Sequence, residues 1–182
     1  MSKLPLFDSP EIFQKLKPYL KTERFSKGAV IEESGFISKR LFFIQSGLIR
    51  VFYRTGGKEV CCHFAKEGEI LTGIDSFFTG NPSIYTTQCI EETVCHSLTK
   101  EQLEWAFDHV EGMNRMGREF VTYAYIDLVE RYNSVVTISA QDRYQQFMQT
   151  QPEMLNRIPL GYLSTYLGMS QETLSRIRAQ KV

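Results

Sequence analysis

The stretch Leu160-Gly-Tyr-Leu-Ser-Thr-Tyr-Leu-Gly-Met-Ser-Gln-Glu-Thr-Leu-Ser-Arg-Ile-Arg178 reads as two short helices joined by a tight turn. Leu163, Leu167, Met169, Leu174 and Ile177 fall where two crossed helices must pack, and Ser164 is small where they come closest. Gly168 stands at the turn, where a positive φ is needed. Ser170 is placed to cap the second helix. The outer face of that helix carries Gln171, Glu172, Ser175 and Arg176, with Arg178 and Lys181 beyond. Arginine pairs bidentately with guanine, glutamine pairs with adenine, and glutamate accepts from cytosine N4. Ser170 and Thr173 suit phosphate contacts that fix register without reading sequence. An ordinary helical hairpin also tolerates glycine at its turn, but it leaves the chemistry of this face unexplained. The pattern predicts a helix-turn-helix bound to double-stranded DNA.

Upstream, Val135-Val136-Thr137-Ile138 is rich in β-branched residues and interrupts good helix propensity. Ser139 then offers a cap, with Asp142 three residues on. A domain boundary is therefore expected at Val136. Before it, a proline-free segment from about Glu111 to Val135 predicts one helix, roughly 37 Å long at ~1.5 Å per residue. Phe120, Val121, Ala124 and Leu128 lie among its apolar positions, and the series 117, 121, 124, 128, 135 approximates a seam broken by polar Arg131. That seam serves either a second copy of the chain or the helix's own domain. Thr99 and Gln102 have capping-box spacing ahead of a further helix carrying Leu103, Trp105, Ala106 and Phe107.

Between Arg24 and Leu98 the texture differs. Short aromatic and branched runs alternate with glycines, which predicts an all-β barrel or jelly roll. Leu48–Tyr53, a turn through Gly56-Gly57 and Glu59–Cys62 form its plainest hairpin. A short leading helix is expected from Ser9, the candidate cap, to about Leu20.

The chain has 182 residues, 42% hydrophobic and 23% charged, enough for a globular core. No apolar run approaches the ~18–20 residues that span a bilayer, and no signal peptide is visible, so a cytoplasmic protein without a membrane partner is expected. The 21 basic and 21 acidic residues cancel, but unevenly. From Val136 onward Arg143, Arg157, Arg176, Arg178 and Lys181 face only Asp142, Glu153 and Glu172, an excess of +2, against −2 for the rest. Cys61, Cys62, Cys89 and Cys95 lack zinc or redox spacing and read as buried thiols.

Taken together the sequence resembles the Crp/Fnr family of bacterial transcription regulators. The resemblance rests on Phe25-Ser-Lys-Gly28, Leu41-Phe-Phe-Ile-Gln-Ser-Gly47 and Gly56-Gly-Lys-Glu59, on the long helix, and on Leu167-Gly-Met-Ser-Gln-Glu-Thr-Leu-Ser-Arg-Ile177. It implies an α+β fold in three parts. Residues 1–110 would form a cyclic-nucleotide-binding-like sensor, a double-stranded β-roll of jelly-roll or cupin-like build. Residues 111–135 would form a dimerisation helix, and residues 136–182 the helix-turn-helix. It further implies a homodimer on a palindromic operator, recognition helices about 34 Å apart, base reading by Gln171, Glu172 and Arg176, and RNA polymerase as a further partner.

The resemblance also places an effector pocket at Gly68, Glu69, Ile70, Leu71, Thr72, Gly73, Ser83, Ile84 and Tyr85. Cyclic-AMP-binding members carry Gly-Glu and Arg-Ser there. This chain has Thr72-Gly73 and Ser83-Ile84, and no arginine from Thr55 to Asn114. Losing the charge-assisted pair to a cyclic phosphate costs roughly 1.5–3 kcal/mol, so cyclic AMP is not expected as the effector, whose chemistry stays open. The chain ends six residues after Arg176, short of the family's β-hairpin wing, which predicts a truncated winged helix with a shallower salt dependence.

Three other readings compete with this one. A cupin-type enzyme would need clustered ligands, whereas His63, His96 and His109 are scattered and no phosphate loop or nucleophile elbow is present. A haem or iron–sulfur sensor would need converging ligands, but Cys61, Cys62 and His63 alternate faces if they share a strand. Neither an enzyme nor a resident cofactor or metal is expected. The remaining alternative is a small-molecule-binding or protein-interaction module of the same fold that does not bind DNA.

Overall fold

The computed structural model describes residues 10–180, so the Ser9 cap and Lys181 lie outside the described residues. Helix α1 (Pro10–Leu16) runs into a 3-10 turn, Lys17–Tyr19, and leads to eight strands. These are β1 (Lys21–Phe25), β2 (Val30–Glu32), β3 (Arg40–Ser46), β4 (Ile49–Thr55), β5 (Lys58–Ala65), β6 (Ile70–Leu71), β7 (Thr86–Cys89) and β8 (Thr93–Thr99). One helical turn, α2 (Ile74–Phe77), lies between β6 and β7. Then follow α3 (Lys100–His109), α4 (Met113–Thr137), α5 (Ala140–Thr150), α6 (Leu160–Tyr166) and α7 (Gln171–Ala179).

The strands make two antiparallel four-stranded sheets, ordered β1-β8-β3-β6 and β2-β7-β4-β5. Three apolar clusters explain why the strand sequences look continuously hydrophobic instead of alternating. Phe42, Ile44, Ile49, Ala65, Leu71, Cys89 and Cys95 fill the interior between the sheets. Leu41, Phe43 and Leu98 point from the first sheet's outer face into α1, α3 and the start of α4, meeting Leu16, Leu103, Ala106, Met113 and Met116. Leu48, Phe52, Cys61 and Phe64 point from the second sheet's outer face into the C-terminal helices, meeting Tyr144, Phe147, Leu163 and Leu174. Both faces of β3 are therefore buried, and Leu41 to Ile44 are all core.

Local signals appear where the sequence placed them. Gly56 and Gly57 turn β4 into β5 with φ of +55° and +74°, the two positive values that a type I′ hairpin requires. Thr99 and Gln102 close a reciprocal capping box on α3. The long helix differs slightly from its expected span. It starts at Met113 after a left-handed Gly112 and continues through Val135, Val136 and Thr137, ending at Ile138. The β-branched run lowers propensity by only a few tenths of a kcal/mol per residue, too little to stop a helix already propagating.

Candidate nucleic-acid interface

Helices α6 and α7 form the expected pair. Leu163, Ser164, Leu167, Leu174 and Ile177 are buried at their junction. Gly168 turns the chain with φ +67°, and the Ser170 hydroxyl accepts from the Thr173 amide at 3.1 Å. Thr173 also exchanges a hydrogen bond with the Ser170 hydroxyl at 3.1 Å, so both residues help to shape the helix start. Gln171, Glu172, Ser175, Arg176 and Arg178 are exposed along one side of α7. The Glu172 carboxyl is held below the usual range, chiefly by a hydrogen bond from Ser170, with Lys58 of β5 adding a favourable charge.

Two of the cations counted with this segment are committed inside the protein. Arg143 on α5 donates from Nε to the Leu167 carbonyl at 2.7 Å and from Nη1 to the Ile138 carbonyl at 2.7 Å, clamping the turn. Arg157 grips two carboxylates of the β-roll. Nη1 and Nη2 reach Glu67 at 3.0 and 2.7 Å, while Nε and Nη2 reach Glu91 at 2.9 and 2.6 Å. Charge counting could not separate these from the solvent-facing Arg176 and Arg178, because sequence shows sign but not partners.

The same contacts fix the helix pair to the β-roll. The Thr165 hydroxyl accepts from the Cys61 amide at 3.1 Å. Phe64 lies against Tyr166 with ring centres 5.0 Å apart, and Lys66 pairs with Glu153. Arg50, on β4, is 3% exposed and sandwiched between Phe52 and Tyr162, 3.9 and 3.8 Å from the ring centres. It also donates to Glu59 at 2.7 Å and to Gln88 at 2.6 and 2.9 Å. From α4, Arg131 donates to the Cys61, Cys62 and Tyr166 carbonyls and stacks 4.1 Å over the Tyr166 ring.

Beyond its first turns α4 is inverted. Its half-buried positions are polar or charged, Asp127, Arg131 and Ser134, whereas Val121, Tyr125, Leu128, Tyr132 and Val135 face solvent. The exposed set has steps of four and three, an unbroken heptad seam. Arg131 interrupts the approximate series of the sequence because it lies on the other face. Ala124 is exposed beside the seam, while Phe120 is half-buried and lines an apolar groove of about 490 Å³ against Leu41, Phe43 and Ile70.

The effector segment does not converge on one point. Ile70 faces that outer groove, and Leu71 points between the sheets. Gly68 turns the chain with φ +81°, and Ile84 is largely exposed. Thr72 donates to the Arg40 carbonyl at 2.9 Å. Gly73, Ser83 and Tyr85 do share a cavity of about 450 Å³ with Glu32, Ser38 and Phe42. Ser83 is buried and donates to Asp75, 3.1 Å from each carboxylate oxygen. The Asp75 carboxylate thus stands beside Ser83, and burial raises the pKa of Glu32, which lines the same cavity. These residues do not fit a cyclic nucleotide's phosphate.

Glu69 is half-buried, and burial pushes its pKa up to about 6 from an ordinary 4.5, with Lys66 opposing and Asp127 reinforcing the rise. A carboxyl raised on folding stabilises the fold below pH 4.5, and that contribution is lost as pH climbs through about 6. Glu69→Gln is expected to remove this loss, so that thermal unfolding at pH 5 and pH 7 differs less than in the parent. An unchanged difference would show that Glu69 is not responsible. The thiols offer no such lever. Burial pushes Cys61 and Cys95 up to about 12, and all four cysteines are free. The register steps from Val51–His63 to Phe52–Cys61, which leaves Cys62 as the extra, bulged residue of β5. Among the described residues no group of three or more His, Cys, Asp or Glu is placed to hold a metal. No described helix is long and apolar enough to cross a membrane.

Residues 22–109 match the family model of the cyclic nucleotide-binding domain. Solved structures share the architecture well beyond that segment. FixK2 from Bradyrhizobium japonicum is 15% identical, with 88% of this chain and 83% of that one covered at a TM-score of 0.77. CLP, the c-di-GMP-responsive global regulator of Xanthomonas campestris, is 13% identical over 94% of this chain and 91% of that one, TM-score 0.76. A regulator assigned to the Crp/Fnr family from Eubacterium rectale is 14% identical over 97% and 85%, TM-score 0.73. The fold is that of a Crp/Fnr-type regulator. No curated protein matches by sequence. In that fold the β-roll comes first and α4 leads from it to the C-terminal helices. The pair α6–α7 is docked on the outer face of the second sheet.

Proposed function

We propose that this protein is a homodimeric, sequence-specific DNA-binding transcriptional regulator of the Crp/Fnr type, working in the cytoplasm without catalytic activity. The observation that carries the reading is the exposed face of α7, where Gln171, Glu172, Ser175 and Arg176 stand beyond a capped helix start on a rigidly held pair. Arg176 suits guanine, Gln171 adenine and Glu172 a cytosine amine, with Ser170, Thr173 and Arg178 placed to hold backbone phosphates. Two copies joined along the α4 seam make a palindromic site the natural target. RNA polymerase is the further partner that transcriptional control requires.

The deciding experiment is selection of bound duplexes from a random pool by the purified chain. A palindromic consensus is expected. A pool that stays random would leave the alternative, a small-molecule or protein-binding module without DNA binding.

Cyclic AMP is not the effector in this reading, since Ser83-Ile84 stands where the resemblance puts Arg-Ser and Ser83 donates to the Asp75 carboxylate. Calorimetric titration is expected to show no binding at low micromolar cyclic AMP, and saturation there would overturn this part of the proposal.

A further inference from the structure

The β4–β5 hairpin packs against α6, the helix that leads into α7. Arg54, Thr55, Gly56, Gly57 and Lys58 are all exposed at its tip. A continuous line of contacts ties that tip to the start of α7. Glu59, next to Lys58, accepts from Arg50 at 2.7 Å and from Arg54 at 3.0 Å. Arg50 stacks 3.8 Å over Tyr162 in the first turn of α6. Neighbouring Gly161 packs so closely on Gln171 that a Cβ there would stand 3.2 Å from the Gln171 amide oxygen. The Cys61 amide donating to Thr165 holds the same strand against the same helix.

We propose that Lys58, with Arg54 behind it, is a second DNA-binding element, a β-hairpin clamp on the phosphates flanking the groove that α7 enters. The clamp rests on the DNA-reading role of α7. A helix is about 10–12 Å across with its side chains and the major groove about 12 Å wide, so the groove-edge phosphates lie directly beside an inserted helix. Arg50 joins Glu59 of the hairpin to Tyr162 in the first turn of α6, and Gly161 beside it stands against Gln171, so the hairpin flanks the start of α7, where Lys58 adds a favourable charge to Glu172. The hairpin also supplies charge that the C-terminal segment lacks, because Arg143 and Arg157 are turned inward. Being phosphate contacts, these groups add affinity and register but read no bases.

The test uses the full chain, its selected operator and a random duplex, over a range of salt concentrations. Lys58→Gln is expected to weaken binding to both duplexes alike, about 8-fold per lost contact at 0.1 M salt, and to shrink the salt exponent by about 0.9 per contact. Lys58→Arg keeps the cation and is expected to bind like the parent, and Lys58→Gln combined with Arg54→Gln is expected to bind more weakly still. Unchanged affinity and exponent in Lys58→Gln would overturn the clamp. So would a loss confined to the operator with an unchanged exponent, because that would place the effect in Glu172 instead of a phosphate. Arg176→Ala separates the two claims. If it abolishes operator preference while Lys58→Gln is silent, α7 reads DNA and the clamp fails. If the parent chain binds neither duplex, both fall together.

Discussion

Replacing Leu128 by aspartate is expected to give a folded monomer whose operator affinity is lower by a factor of about 100 to 10,000, the range by which joining two binding modules exceeds one alone. Leu128 is 61% exposed, at the middle of the heptad seam formed by Val121, Tyr125, Leu128, Tyr132 and Val135. The helix presents branched and aromatic side chains to water over four turns while turning Asp127 and Arg131 toward its own domain, and the proposed dimer covers that stripe with a second copy. Apposing two aspartates at one seam position desolvates like charges and opposes association. The chain's own fold should survive, because Leu128 belongs to none of the three core clusters. Sedimentation velocity measures the mass, and duplex titration measures the affinity. A variant that remains dimeric would move the interface elsewhere.

Arg176→Ala is expected to cost roughly 1–3 kcal/mol of specific binding, about 5- to 150-fold, if its guanidinium grips guanine O6 and N7. Discrimination at a single base position should relax with it. The residue is exposed on α7, so thermal stability should be unaffected. Competition by duplexes with single-base changes locates the position. Equal losses on every sequence would make Arg176 a phosphate contact and leave Gln171 and Glu172 as the base readers.

The sequence disclosed most where one residue answers to its immediate neighbours. Gly168, Ser170 and the Leu163–Ile177 series were legible because a positive φ, a helix cap and a packing stripe are each set within a few positions. The Gly56-Gly57 hairpin was legible for the same reason. The effector segment was only half legible. Sequence showed that the arginine was missing, but not that Asp75 had taken Ser83 as its partner or that Ile70 and Leu71 point to opposite sides of the sheet.

The four and three steps of α4 announced an apolar stripe, though in a series shifted from the exposed one, and the α6–α7 pattern announced two crossed helices with a polar outer face, so sequence by itself determined these elements and the side chains they present. Tertiary structure alone decided how they are joined. Arg157 meets Glu67 and Glu91 across 90 and 66 residues of chain, Thr165 meets Cys61 across 104, and Arg50 finds Tyr162. Those meetings turned Arg157 inward, put Arg131 on the buried side of α4 and set the β4–β5 hairpin against the first turn of α6. The reason is physical. Propensity, capping and periodicity act within a turn or two of chain, whereas pairing between distant side chains depends on which sheet face the helices cover, and no local pattern encodes that choice.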